Sequence, residues 1–180
     1  FRPGKNQREL IELCAALPAA LNWQLWLAGD GPDRPACERL VWAQNLGARV
    51  RFLGFPSDPS PLYRAADLAV LASQRESLSN FLCEAQAHGL PAVAYDVAGV
   101  GECFLPGHSG HLIPNRDRAA FTARLAGLVA DAAQRARFSL AARDYARERF
   151  DPARQVQAHL DLFAKLTAEQ VEPPRRLIPK

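Results

Sequence analysis

Three features of this 180-residue chain predict an α/β fold, a Rossmann-like parallel sheet with helices on both faces. Short apolar runs that read as buried strands alternate with stretches whose apolar residues recur at helical spacing. Residues with chemical potential gather where strands give way to helices, the carboxyl ends at which such sheets bind ligands. With 48% hydrophobic residues, the chain has enough apolar side chains for the full core of one domain.

The elements follow in order. Residues 6–19 place Leu10, Ile11, Leu13, Cys14 and Leu17 at helical spacing. A strand over 23–28 runs into Gly29-Asp30-Gly31-Pro32, a turn in which glycine and proline serve backbone geometry. A helix over 35–46 is stopped by Gly47, and a strand over 49–53 leads through a proline-rich turn to a short helix over 61–66. An apolar strand over 68–72 is followed by a helix over 78–88, closed by Gly89 and Pro91. A strand over 91–95, a short helix over 101–105 and a last strand over 110–113 complete the alternation. From Asp117 onward the pattern is wholly helical, and Asp151-Pro152 marks a helix start with proline at its first position. Trp23, Trp26 and Trp42 fall at core-like positions. The first strand, which such a fold places centrally, is expected to be truncated, because the chain opens just before a helix. The domain is expected over 1–168, with 169–180, aperiodic and proline-containing, as a flexible C-terminal tail.

Composition narrows the function. A net charge of +3 with no Lys/Arg cluster interleaved with aromatics argues against a nucleic-acid partner. Cys14, Cys37, Cys83 and Cys103 are widely spaced in apolar contexts and read as buried reduced thiols, which suits the cytoplasm. No apolar stretch approaches the roughly 18 residues of a membrane span. His108 and His111 lack a third ligand at suitable spacing, so no metal site is expected. Arg118, Arg135, Arg143 and Arg147 are expected on a solvated helical face.

The most informative pair is Glu76 and Glu84. Glu76 falls in the loop between strand and helix, and Glu84 about one turn inside the helix. A helix opening near Ser79 offers free amides and a positive dipole end, an anion site to which a diphosphate is the natural guest. Helical side chains lean toward the amino end, so Glu84 reaches hydroxyls beside the phosphate, such as those of a ribose. Glu76 faces the other end, where a sugar would hang. Either carboxylate read alone is an ordinary loop or surface charge.

Ordered signatures add specificity. Arg2-Pro3-Gly4-Lys5-Asn6, Leu27-Ala28-Gly29-Asp30-Gly31-Pro32, Val50-Arg51-Phe52-Leu53-Gly54, Ala66-Asp67, Ser73, the Glu76/Glu84 pair, His88-Gly89-Leu90-Pro91 and Asp96-Val97-Ala98-Gly99-Val100-Gly101-Glu102 follow one another. Over residues 2–166 the chain resembles the C-terminal, donor-binding domain of GT-B glycosyltransferases of family 4. The resemblance implies that Arg2 and Lys5 neutralise the donor diphosphate, that the backbone amides of Ser79, Asn80 and Phe81 complete its cradle, and that Glu84 holds the ribose. It further implies that Glu76 is the catalytic contact near the reacting carbon and that Phe55 borders the base. Such enzymes typically retain anomeric configuration and need no metal to bind the donor. Ser77, where glycine usually follows the first glutamate, and a short Arg-to-Lys spacing depart from the common pattern.

The expected function is therefore the donor half of a hexosyl-type glycosyltransferase. It would bind a nucleotide-diphosphate sugar and transfer the glycosyl group to an acceptor held by an absent N-terminal domain, with little activity of its own. The expected location is the cytoplasm, and peripheral association of the full protein with the inner face of a membrane stays open. A non-catalytic Rossmann-like nucleotide-binding or scaffolding module is the alternative.

Overall fold

The structure, a computed structural model, describes residues 1–169. The elements alternate as α1 (Gln7–Ala15), β1 (Leu25–Ala28), α2 (Arg34–Ala43), β2 (Val50–Gly54), α3 (Ser60–Ala65), β3 (Ala69–Leu71), α4 (Asn80–Ala87) and β4 (Ala92–Asp96). A 3-10 turn (Val100–Glu102), β5 (Gly110–Pro114), α5 (Arg118–Ala130), α6 (Ala132–Arg149) and α7 (Pro152–Glu169) follow. Glu169 closes α7, and the remainder of the expected tail, 170–180, lies outside the described residues.

Every ladder is parallel, as the alternation of strands and helices requires. The strands nevertheless form two sheets, in the orders β1-β2 and β3-β4-β5. β1 and β3 are not hydrogen-bonded to each other, so the sheet is interrupted in its middle. β4 is buried at Ala92, Val93, Ala94 and Tyr95, as expected of a strand covered on both faces, and only Asp96 at its carboxyl end is exposed. One apolar cluster joins Ile11 and Leu13 of α1 to Leu27, Val93, Phe121 and Leu128. A second, on Leu82, Ala85, Val100 and Phe104, lies against Ala92 and Ala94.

Local chemistry sets the boundaries. Asn6, at φ 59°, is the left-handed residue that admits α1, and Pro18 follows its end. α2 stops at Asn45 (φ 56°) rather than Gly47: the Leu46 amide bonds back to the Val41 carbonyl at 2.9 Å, so a left-handed asparagine supplies the reversal. Asp117 and Asp131 each accept a hydrogen bond from a backbone amide three residues on, capping α5 and α6.

Two surface expectations are corrected. Trp42 is 84% exposed, because it lies on the outer side of α2, opposite the buried Cys37 and Val41. Trp26 is partly exposed, since it alternates with Leu25 and Leu27 on β1 and points away from their cluster. The arginines of the helical segment are also not uniformly solvated. Arg118 pairs with Glu12 at 2.9 Å, and Arg135 donates to the Leu128 and Val129 carbonyls at the end of α5.

His111 on β5 sits 5.3 Å from the Phe138 ring, and burial, with Arg124 nearby, holds its pKa below the ordinary value. The unfolded chain then binds the extra proton first as pH falls, so this group's contribution to stability rises with pH and is lost below about pH 6.5. His111→Phe should flatten the decline of the thermal midpoint between about pH 7 and 5. An unchanged slope would remove His111 as its source.

Candidate functional site

The segment that joins β3 to α4 carries Glu76 and receives the amino-terminal turn with Lys5. Ser73 is buried there, and its hydroxyl has no hydrogen-bond partner among the described residues. The amino-terminal turn docks onto this segment: the Gln74 amide donates to the Gly4 carbonyl at 2.8 Å, and the Lys5 amide closes onto Arg2 at 3.1 Å. This brings Lys5 Nζ to 2.7 Å from Glu76 Oε1 across 71 positions of sequence. The Glu76 carboxylate is 7% exposed and the Lys5 side chain 47%. Arg2 stands exposed on the same turn.

α4 opens beside this ion pair, with Ser79 extended at its amino end. The Ser79 amide is not free: it donates to the Cys103 sulfur at 3.3 Å. That corrects its expected place in the anion cradle, because Cys103, folded back from the 3-10 turn, has taken this donor. The amides of Asn80 and Phe81 have no protein acceptor among the described residues, as the first turn of a helix requires. Two of the three expected donors therefore remain open.

Glu84 lies one turn further along, with Oε2 accepting a hydrogen bond from the Tyr63 hydroxyl at 2.8 Å. Desolvation, then the hydrogen bond to Glu84, raises the Tyr63 pKa well above the phenol's ordinary value, so the hydroxyl stays a donor at neutral pH. Tyr63 also stacks on His88 at 4.9 Å and approaches Phe81 at 6.1 Å. Glu84 Oε1 has no protein partner among the described residues. Phe55, directly after β2, is 87% exposed.

The loop after β4 closes the far side. Gly99, at φ 77°, lies so near the Ser77 carbonyl that a Cβ would overlap it. Its glycine therefore serves the packing of one loop on another. Cys103, whose sulfur also donates to the Gly99 carbonyl at 3.3 Å within the same loop, supplies the second tie through the Ser79 amide. Burial raises the pKa of all four thiols, that of Cys14 to about 12, which makes them packing groups rather than nucleophiles. Among the described residues no group of three His, Cys, Asp or Glu side chains could hold a metal ion. No helix there is long and apolar enough to cross a membrane.

Of the residues singled out in the sequence, Lys5 and Glu76 are in contact, Arg2 lies on the same turn as Lys5, and Asn80, Phe81 and Glu84 lie on α4. Tyr63 and Cys103 were missed. Each acts through a contact between segments distant in sequence, and neither carries a local spacing signal that would have revealed it.

Comparison with known proteins gives a family and neighbours. A family described as "Glycosyl transferases group 1" matches residues 1–131. A lipopolysaccharide core biosynthesis glycosyltransferase, LpsE of Rhizobium meliloti, is 31% identical over 164 residues, covering 91% of this chain and 47% of that protein. The D-inositol 3-phosphate glycosyltransferase of Salinispora tropica is 37% identical over 181 aligned positions, covering 94% of this chain and 37% of the relative. The chain therefore spans less than half the length of either. The solved structure of Anabaena HepE in complex with UDP superposes with a TM-score of 0.80 at 26% identity, covering 91% of this chain and 46% of that one.

Gly99→Ala should separate contact from conformation. Gly107 has a similar φ of 79° with nothing near its missing Cβ, so Gly107→Ala should cost about 1 kcal/mol. Gly99→Ala should cost about 2–4 kcal/mol, because the loop must also move off Ser77. Urea unfolding that finds equal losses for the two would contradict the packing role.

Proposed function

Because the chain belongs to the group 1 glycosyltransferases, we propose that it is the C-terminal, donor-binding domain of a GT-B enzyme of family 4, and that it takes a nucleotide-diphosphate sugar. The observation that supports this most strongly is the Lys5–Glu76 pair beside the open amino end of α4, with the half-free Glu84 carboxylate one turn inside.

The diphosphate lies on the Asn80 and Phe81 amides, where the helix dipole and two unsatisfied donors favour negative charge. Lys5 is half-exposed, and an ion pair with one exposed partner is worth at most about 1 kcal/mol, so the pair is easily rearranged. The Glu76 carboxylate is shielded and would be costly to leave unpaired. Lys5 therefore bridges Glu76 and the diphosphate, and the hydroxyls of the donor sugar meet the second oxygen of Glu76. Arg2 adds charge from the same turn. Glu84 Oε1 accepts the ribose hydroxyls while Tyr63 holds Oε2, and Phe55 borders the base.

Transfer breaks the bond between the anomeric carbon and the diphosphate oxygen and forms one to an acceptor hydroxyl. The acceptor proton passes to the leaving phosphate oxygen on the same face, which retains anomeric configuration. Lys5, Arg2 and the two amides stabilise the charge that grows on the diphosphate, preorganised donors each worth about 2–4 kcal/mol in such a site. Glu76 steadies the positive charge developing on the sugar. No metal is needed to bind the donor. The transferred group is a hexose, and the acceptor is held by an N-terminal domain, so this chain alone binds donor weakly and turns over little. Work at the inner face of a membrane by a cytoplasmic protein fits a polymeric or lipid-linked acceptor.

Calorimetric titration with UDP and GDP tests this. One nucleotide should bind, and Glu84→Gln should weaken it by about 10- to 100-fold, the worth of a hydrogen bond to a charged group. The loss should shrink for the 2′-deoxy analogue. Equal affinity of both proteins for the ribonucleotide would remove Glu84 from the ribose.

A further inference from the structure

Glu9 stands at the third position of α1, where an acidic side chain ordinarily faces water and favours the helix dipole. Here it is only 15% exposed, and three elements converge on it. The Tyr95 hydroxyl of β4 donates to Oε1 at 2.9 Å, and the Asn6 side-chain amide donates to Oε2. The Arg118 guanidinium of α5 stands 4.0 Å from Oε1 while it pairs with Glu12. A shielded carboxylate is costly unless its oxygens are occupied, and both are.

Tyr95 gives this arrangement a rigid base. It is buried in β4, and its ring lies 4.9 Å from that of Phe121 on α5. Burial, then the hydrogen bond to Glu9, raises its pKa, so the hydroxyl remains a donor. Asn6 is the other end of the tether. It directly follows Lys5 and holds a left-handed φ of 59°, which side chains adopt only at a cost. In a capping box the first residue's side chain accepts from the backbone amide three residues on. Asn6 makes no such bond and gives its side-chain amide to the Glu9 carboxylate instead.

Residues 2–5 run between Asn6 and Phe1, whose carbonyl accepts from the Asp33 amide at 3.3 Å. Between those ends the turn meets the β3–α4 loop through the hydrogen bond from Gln74 to Gly4 and the half-exposed Lys5–Glu76 pair. One hydrogen bond and a solvent-facing ion pair hold a segment weakly. We propose that Glu9 is a positioning residue: through Asn6 it ties the turn that carries Arg2 and Lys5 to β4, and so keeps both charges where they meet the diphosphate. Glu9 itself touches no substrate. Its effect on the diphosphate rests on the donor-site proposal, whereas its hold on the turn does not.

The test compares Glu9→Ala, Glu9→Gln and Tyr95→Phe in the full chain. Glutamine keeps both hydrogen bonds, with its carbonyl accepting from Asn6 and its amide donating to the Tyr95 oxygen, so it should behave like the wild type. Alanine removes the centre of the tether, and phenylalanine frees it from β4 while keeping the ring against Phe121. In these two variants, hydrogen exchange of the Gln74 amide should quicken by about 10-fold or more relative to that of Val93 in the core of β4. Affinity for UDP, or for GDP if that is the nucleotide bound, should fall by about 10-fold. Affinity for the matching nucleoside should not change, because Arg2 and Lys5 meet only the diphosphate. Equal losses for nucleotide and nucleoside, or Gln74 exchange that merely follows Val93, would overturn the proposal. A loss with glutamine as large as with alanine would overturn the tether, since charge beside Arg118 would then be the cause. If Glu9→Ala does not fold, Tyr95→Phe decides. If neither nucleotide binds the wild type while Gln74 exchange quickens in Tyr95→Phe, the donor proposal fails and the hold on the turn stands.

Discussion

The loop between β3 and α4 is held by contacts from two sides, and the Lys5–Glu76 pair and the amino end of α4 depend on that clamp for their position. The amino-terminal turn fixes it through Gly4 and Gln74, and the loop after β4 fixes it through Gly99 under Ser77 and Cys103 against Ser79. These are short-range contacts with little tolerance for displacement, unlike the solvent-facing ion pairs elsewhere on the surface. Lys5 meets Glu76 because the turn is docked, and α4 presents its first amides to solvent because Ser79 is tied down behind them.

The clamp also explains a division of labour between charge and packing. Cys103 has its pKa raised chiefly by burial, so it spends its sulfur on a backbone amide rather than on chemistry. Tyr63 likewise stays protonated and keeps one oxygen of Glu84 engaged. What remains available to a ligand is a small set of groups: Arg2, Lys5, two amides, and one oxygen of each glutamate. In the proposed complex, positive charge would face the centre of a nucleotide-sugar and the carboxylates its hydroxyl-rich ends.

Much of the fold was legible because periodicity is a local property. The alternation of apolar runs with helical patterns located the strands and the helices up to α4 to within a few residues, while the break between α5 and α6 at Asp131 was not placed. The misses have physical causes. Asn45 took the left-handed position assigned to Gly47, since asparagine also tolerates it. Trp42 sits in water because helix phase over a ten-residue element depends on which neighbour it packs against. In the site, Glu76, Glu84 and Lys5 were legible from ordered motifs, and the structure brings Lys5 and Glu76 into contact. The use of Ser79's amide by Cys103 and the Tyr63–Glu84 hydrogen bond were not, because both join segments about 20 or more residues apart that no spacing rule relates. The interruption between β1 and β3 lies where the sequence reading expects a truncated central strand.

The anion site at the amino end of α4 is the central claim, and backbone amide NMR addresses it most directly. Titration with UDP should move the Asn80 and Phe81 resonances strongly downfield, as charge-assisted hydrogen bonds to phosphate do, while uridine at the same occupancy leaves them nearly in place. The Ser79 resonance should change little, since Cys103 already holds that amide. If UDP binds with Asn80 and Phe81 unmoved and its shifts fall elsewhere on the surface, the diphosphate does not sit on this helix and the account is wrong.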